Sequence, residues 1–144
     1  MGFGLEVKAS GPLFNRPRRV TRNTTELFIR RLVEMGEQRL DGMLAPRPRG
    51  VYLSFQAAER NRVGSASTGH YRRNVNGKVQ GLKGEISDGN VVYGPWLEGI
   101  SSRNSPLRFP GYAAFRKTGQ WLNRQVKNEA RKFVRQLASR MNGV

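Results

Sequence analysis

Three acidic residues near one predicted hairpin are the closest approach to a catalytic set in this sequence. They are Glu85, Asp88 and Glu98, with Lys83 close by. A metal-dependent nuclease would need such carboxylates to converge on a divalent cation. A simpler interpretation places Lys83 and Glu85 on the solvent side of a strand and Asp88 in a turn. We favour that interpretation, and we predict a protein that is not an enzyme and holds no metal or cofactor.

The only histidine, His70, lies beside Thr68 and Tyr71 and has the chemistry of a general base. We interpret it as a bystander, because a lone histidine in a loop is rarely catalytic. The sequence contains no cysteine, which excludes disulfides and zinc sites with cysteine ligands. A single histidine also excludes a metal site built from several histidines.

Positive charge is the extreme feature of the composition. The chain has 26 Lys and Arg against 10 Asp and Glu, a formal net charge of +16. Residues 113–144 hold eight basic groups and one acidic group, and so carry +7 over 32 positions. Such a field attracts polyanions. We therefore predict that DNA or an acidic protein surface contacts this segment, through Arg124, Lys127, Arg131, Lys132 and Arg135.

Aromatic residues stand next to cations at two places, Tyr71-Arg72-Arg73 and Trp121 with Arg124. Proteins that bind single-stranded nucleic acids combine these residue types. No helix-turn-helix or RNA-recognition signature accompanies them. The chain also has no run near the ~18 apolar residues of a membrane span and no secretory signal at its start. We expect a soluble protein made in a cytoplasm, without a membrane partner.

The N-terminal half is predicted to contain one strand and one helix. Apolar residues at 3, 5, 7 and 9 alternate with polar residues and glycine, which indicates a half-buried strand. Residues 14–22 are predicted to be a basic arm or loop. Asn23, followed by Glu26, resembles a helix N-cap, and a helix is predicted over 24–43. Residues 51–55 alternate like a strand, and 56–70 are predicted to form a mobile loop.

The C-terminal half is predicted to contain a hairpin and a long helix. Asp88-Gly89 is a typical two-residue hairpin turn, with a strand before it and a return strand over 90–97. Over 113–141, apolar residues recur at helical spacing opposite a basic face. The expected fold class is α+β, in a single domain over 1–144. A small antiparallel sheet with this hairpin at its centre packs against the N-terminal helix and the long C-terminal helix.

Three segments resemble, in their order, the tail-completion (head–tail joining) proteins of long-tailed bacteriophages, a group that includes the Z protein of lambda-like phages. The segment at 68–74 reads Thr-Gly-His-Tyr-Arg-Arg-Asn, and the segment at 93–101 reads Tyr-Gly-Pro-Trp-Leu-Glu-Gly-Ile-Ser. The segment at 107–113 reads Leu-Arg-Phe-Pro-Gly-Tyr-Ala and is similar to the family's third motif. The residues that match the motifs, and are candidates for an interface, are Thr68, Gly69, Tyr71, Arg72, Tyr93, Trp96 and Glu98.

The resemblance implies a structural protein of the virion neck, made in the cytoplasm of a bacterial host. It would form a homo-oligomeric ring, expected to be a hexamer, between the head connector and the tail tube. Its partners would be copies of itself, neighbouring neck proteins, and DNA in transit, bound without sequence preference. The alternative is a small basic nucleic-acid-binding protein that acts alone.

Overall fold

The computed structural model describes residues 2–9, 19–45, 70–102, 104 and 110–141, with the side chains of Val20 and Met141 excepted. In chain order the elements are β1 (Gly4–Lys8), α1 (Arg19–Leu44), α2 (His70–Asn74), β2 (Asn76–Gln80), β3 (Lys83–Ser87), α3 (Gly94–Glu98) and α4 (Ala114–Met141). The predicted α+β class is confirmed, with a small antiparallel sheet, an N-terminal helix and a long C-terminal helix.

The three strands form an antiparallel sheet in the order β1-β3-β2. Leu5 pairs with Ile86 of β3, and Ile86 pairs with Gly77 of β2. Side chains alternate between the two faces of a sheet, so Leu5, Val79 and Ile86 join the hydrophobic core. The other face is polar and exposed, and there Lys83 Nζ lies 3.1 Å from a carboxylate oxygen of Glu6.

The hairpin is real, but its predicted turn is wrong. The chain reverses between β2 and β3 at residues 81–82, where Gly81 has φ +58°. The Asp88-Gly89 turn follows β3 instead. The predicted return strand over 90–97 is also wrong, because this stretch contains turns and the short helix α3. Pro95 lies in the first turn of α3, where the missing N–H costs no intrahelical hydrogen bond.

Helix α1 covers the inner face of the sheet. It begins at Arg19, so residues 19–22 of the predicted arm are helical and Asn23 is not the N-cap. A Cβ at Gly84 of β3 would lie 2.5 Å from Val33 and 2.8 Å from Ile29 of α1. That approach leaves no room for a side chain, which explains why glycine occupies this inward position. Leu27 of α1 is 48% exposed and does not belong to the buried face of the helix.

Helix α4 runs antiparallel to α1 along its whole length. The rings of Phe28 and Phe133 have centroids 4.9 Å apart. Near the other end, the Thr118 hydroxyl contacts Sδ of Met43 at 3.7 Å. Between them, the Arg39 guanidinium lies 4.9 Å from the centroid of the Trp121 ring. The buried residues of α4 are Ala114, Phe115, Thr118, Leu122, Phe133 and Leu137. Four of them, Phe115, Leu122, Phe133 and Leu137, belong to the predicted apolar stripe, while its members Val126 and Ala130 are half-buried.

Several sequence predictions lie outside the described residues. They are residues 14–18 of the basic arm, the strand at 51–55, positions 56–69 of the predicted mobile loop, and the motif residues Thr68 and Gly69. Within the described part of the chain, no helix combines the length and the apolar character needed to cross a membrane.

Candidate functional site

The three carboxylates singled out in the sequence do not converge. Glu85 is exposed on the open face of the sheet, while Asp88 and Glu98 are buried. Across the residues that the structure describes, no group of three or more His, Cys, Asp or Glu side chains could hold a metal ion. This arrangement offers no site at which Glu85 and Asp88 could act on one cation.

Asp88 has a larger structural role than the turn residue predicted from the sequence. It is fully buried, and its Oδ1 accepts hydrogen bonds from the amides of Phe3 at 3.0 Å and Asn90 at 3.1 Å. The amide of Asp88 in turn donates to the carbonyl of Phe3 at 2.9 Å. Asp88 therefore fastens the N-terminal strand to the turn that follows β3. No pattern in the local sequence indicates this link between residues far apart in the chain.

Glu98 lies at the end of α3 and caps the start of α4. Its side chain is buried, and Oε1 accepts a hydrogen bond from the amide of Phe115 at 2.8 Å. Oε2 lies 3.5 Å from the amide of Arg116. A carboxylate at this position satisfies amides that have no partner within the helix and complements the positive end of the helix dipole. The motif residue Glu98 thus holds two elements together rather than facing a partner.

We expect Glu98→Ala to lower the free energy of unfolding by about 2 kcal/mol, because two helix amides lose their acceptor in a buried place. Glu98→Gln keeps an acceptor oxygen and should cost about half as much. Urea denaturation followed by circular dichroism measures both. Equal losses in the two variants would mean that the side chain acts through its negative charge and not as a hydrogen-bond acceptor.

Tyr71 and Tyr93 connect α2 to the segment before α3. Tyr71 is buried, and its ring centroid lies 6.0 Å from that of Tyr93. Burial, followed by the nearby charges of Asp88 and Glu98, raises the pKa of the Tyr71 phenol above its usual range. His70 is exposed beside them, with its ring 6.3 Å from that of Tyr93. The arrangement is a packing cluster, in which Tyr71 stays neutral at physiological pH.

Arg72 makes a two-point ion pair with Asp41 of α1. Its Nε and Nη2 donate to the two carboxylate oxygens, the second at 2.6 Å. This hydrogen bonding lowers the pKa of the Asp41 carboxyl and raises that of Arg72. The pair is exposed and joins α2 to α1, so the predicted interface residue Arg72 already has a partner within the chain. Asp41 was not identified from the sequence, because its partner is distant in the chain.

Exposed large apolar side chains gather around α3. Trp96 is 37% exposed, Tyr93 42% and Ile100 62%. The backbone of Tyr112 lies next to α3, because its amide donates to the carbonyl of Leu97 at 2.6 Å, and its side chain is 51% exposed. We call this set, with the exposed Val92, the aromatic patch: Val92, Tyr93, Trp96, Ile100 and Tyr112. Tyr93 and Trp96 were predicted as interface residues from the sequence, whereas the other three were not, because they follow no helical or strand periodicity.

Six basic side chains form a strip along α4, opposite its buried stripe. At about 100° per residue, they fall within an arc of about 100° on the helix. We call this strip the basic arc: Arg116, Lys117, Arg124, Lys127, Arg131 and Arg135, all exposed. Of the predicted contacts, only Lys132 lies to one side of it, where its Nζ is 2.7 Å from Glu129. Val134 lies within the arc and is 58% exposed.

The aromatic patch and the basic arc are thus two surfaces of the described residues that have the chemistry to bind a partner. One presents large apolar groups around a short helix, and the other presents a row of cations on a long helix. Comparison of the chain with protein-family models, with curated proteins and with solved structures found no match.

Proposed function

We propose that this protein is a structural component of a bacteriophage neck, a tail-completion protein that assembles into a ring around the DNA channel. The proposal rests on the order of the motif segments at 68–74, 93–101 and 107–113. The observation that carries it is the combination of the aromatic patch with the basic arc. A ring subunit needs a surface for its neighbours and is helped by a cationic surface for the polyanion that it surrounds.

The aromatic patch has the properties of a subunit interface. Exposed apolar clusters on soluble proteins mark interaction sites, and tyrosine and tryptophan are enriched at the centres of interfaces. Buried hydrogen bonds fix the backbone that carries the patch. The amide of Phe115 in α4 donates to Oε1 of Glu98 in α3 at 2.8 Å. The amide of Phe3 donates to Oδ1 of Asp88, in the preceding turn, at 3.0 Å. A preformed surface loses little conformational entropy on binding.

The basic arc has the length and charge for a polyanion. From Arg116 to Arg135 it spans about 29 Å at the rise of an α-helix. Phosphates on one DNA strand recur every ~3.4 Å, so several of them lie within reach of one arc. In a ring, the same face of each subunit would line the channel or meet an acidic neighbour in the neck.

The second candidate is a nucleic-acid-binding protein that acts as a monomer or dimer. The basic arc alone supports it, since six cations on one helix are sufficient for salt-sensitive, non-specific binding. In this case the aromatic patch would have no role in assembly. The two candidates therefore differ in their oligomeric state and in the effect of changes to the patch.

Native mass spectrometry of the purified protein at increasing concentration tests the proposal, and we expect a closed ring, a hexamer in this family. The double variant Trp96→Ala, Ile100→Asp should remain monomeric because it places a charge in the patch. Val134→Asp, an exposed residue outside the patch, is the matched control and should still form rings. A wild-type protein that stays monomeric or dimeric while it binds DNA would support the second candidate instead.

A further inference from the structure

The free edge of β1 lies beside an apolar groove, although the other edge of the sheet is partly closed. At the outer edge of β2, the amide of Gly77 donates to Oε1 of Glu37 at 2.5 Å. An edge amide that already has an acceptor cannot pair with another strand. The two edges of this sheet are therefore not equivalent, and within the described part of the chain the β1 edge is the more open one.

The hydrogen-bond pattern identifies the groups of β1 that face outward. The carbonyl of Phe3 accepts from Asp88, and the amide of Ala9 donates to Leu82, so odd-numbered residues bond to β3. In an antiparallel ladder the intervening residues point their N–H and C=O groups the other way. These are Gly4, Glu6 and Lys8. Among the described residues, none provides an acceptor for their amides.

The groove runs along this edge, between β1, α1 and α4, and has a volume of about 290 Å³. Its apolar lining comes from all three elements and includes Leu5, Val7, Phe28, Leu32, Leu122 and Val126. Leu5 and Val7 point inward from the strand. A strand added to β1 would therefore direct every second side chain into the groove, and the alternate side chains to the open face of the sheet.

The charges around the groove favour an acidic occupant. Lys8 is exposed on the strand, and Glu6, the only acid of β1, is already paired with Lys83 at 3.1 Å. Asn123 of α4 lines the groove. Lys127 of the basic arc follows one helical turn later on the same side of α4, and so lies close to the groove.

We infer that the free edge of β1 and its groove bind an extended acidic peptide segment of a partner protein, with alternating apolar and acidic residues, as a fourth strand of the sheet. Main-chain hydrogen bonds to Gly4, Glu6 and Lys8 supply the register. The apolar side chains fill the groove, and the acidic side chains lie near Lys8. This interaction is separate from the aromatic patch and does not depend on the proposed ring.

The test uses the full-length protein and an acetylated, amidated heptapeptide of alternating glutamate and valine, labelled with a fluorophore. Anisotropy should show saturable binding with a Kd below ~1 mM. Glu6→Pro removes one outward amide without disturbing the ladder to β3, and it should weaken binding at least ~10-fold. Glu6→Ala keeps the amide and removes the carboxylate, so its affinity should equal or exceed that of the wild-type protein. Circular dichroism shows whether both variants are folded.

Amide hydrogen exchange measured by NMR supplies a second readout. Binding of the peptide should slow exchange at Glu6 and Lys8 and leave Val79 of β2 unchanged. Equal affinity of the Pro and Ala variants would overturn the inference. So would protection of Glu6 and Lys8 in the free protein. If that protection grows with protein concentration, a second copy occupies the edge. If it does not, the chain itself covers the edge.

Discussion

Gly99→Ala is expected to lower the free energy of unfolding by about 4 kcal/mol, the largest effect of a single substitution outside the core. Gly99 has φ +88°, a conformation that costs alanine about 1 kcal/mol or more. A Cβ at this position would also overlap the carbonyl oxygen of Pro110. Backbone atoms cannot move aside as the end of a side chain can, so the two crossing segments would have to separate.

That separation would reach beyond the crossing itself. Gly99 ends α3 and directly follows Glu98, whose carboxylate caps α4 at the amide of Phe115, 2.8 Å away. Moving the segments apart therefore also removes a helix cap and displaces Tyr112 in the aromatic patch. Urea denaturation and near-ultraviolet circular dichroism, which reports the packing of aromatic rings, measure the two consequences.

Gly81→Ala is the matched control for this substitution. Gly81 also has a positive φ, +58°, but a Cβ there would have no atom within 4 Å. Only the conformational cost of about 1 kcal/mol is expected. If the two variants shift the urea midpoint equally, the close crossing of Gly99 with the segment at 110–111 is not present in solution.

Reversal of Lys127, Arg131 and Arg135 to glutamate is expected to give the largest functional effect. These three side chains are exposed and lie away from the buried stripe of α4, so the fold should be retained. With a short duplex DNA as a generic polyanion, we expect the affinity at low salt to fall at least ~100-fold. The slope of the logarithm of the association constant against the logarithm of the salt concentration should become shallower by about 3, since each phosphate contact contributes about 0.9 to that slope.

A second triple variant with the same net charge distinguishes the effect of the basic arc from the effect of the protein's overall positive charge. Each reversal changes the charge by two, so three reversals lower the formal +16 by six in either variant. Arg31, Arg73 and Lys78 are exposed residues of α1, α2 and β2, and their reversal to glutamate should weaken binding less than ~5-fold. Equal losses in both triple variants would show that the arc has no special role.

The same triple reversal connects the arc to the proposed neck function. If the proposed function holds, we expect filled heads and free tails to accumulate in place of infectious particles in a phage that carries this gene, because the proposed ring would lose its anionic partner. Electron microscopy of lysates and a titre measure the outcome. Normal titres from the folded triple variant would mean that the arc is a solvated surface.

Sequence alone predicted α4 most accurately. Its predicted range, 113–141, differs from Ala114–Met141 by one residue. The helical period recurs over many turns of this long helix, so each turn adds to the same signal. The row of basic residues could be predicted for the same reason. Strand β1 followed similarly from period-two alternation, and α1 was found with its start placed five residues late.

Local signals failed where distant residues decide the conformation. Asp88-Gly89 and Gly81 both permit tight turns, and only the pairing of β3 with β1 and β2, which places Ile86 between Leu5 and Gly77, determines which turn closes the hairpin. Residues 90–97 were predicted to form a strand, although apolar and polar residues alternate only weakly there. It forms α3 because Pro95 starts a helical turn and Glu98 is anchored to the amide of Phe115, on another element.

The amino-acid sequence by itself therefore determined the helices with long periods, the charge of the protein and the position of its cations along α4. Only the tertiary structure showed that Asp88 and Glu98 are buried and link distant segments of the chain. It also placed Val92, Ile100 and Tyr112 near α3 with Tyr93 and Trp96, and among the described residues it left the β1 edge of the sheet without a pairing strand. Periodicity records which face of an element is buried. Hydrogen bonds and packing between distant residues, such as Phe3 with Asp88, depend on where the chain returns, and no short stretch of sequence contains that information.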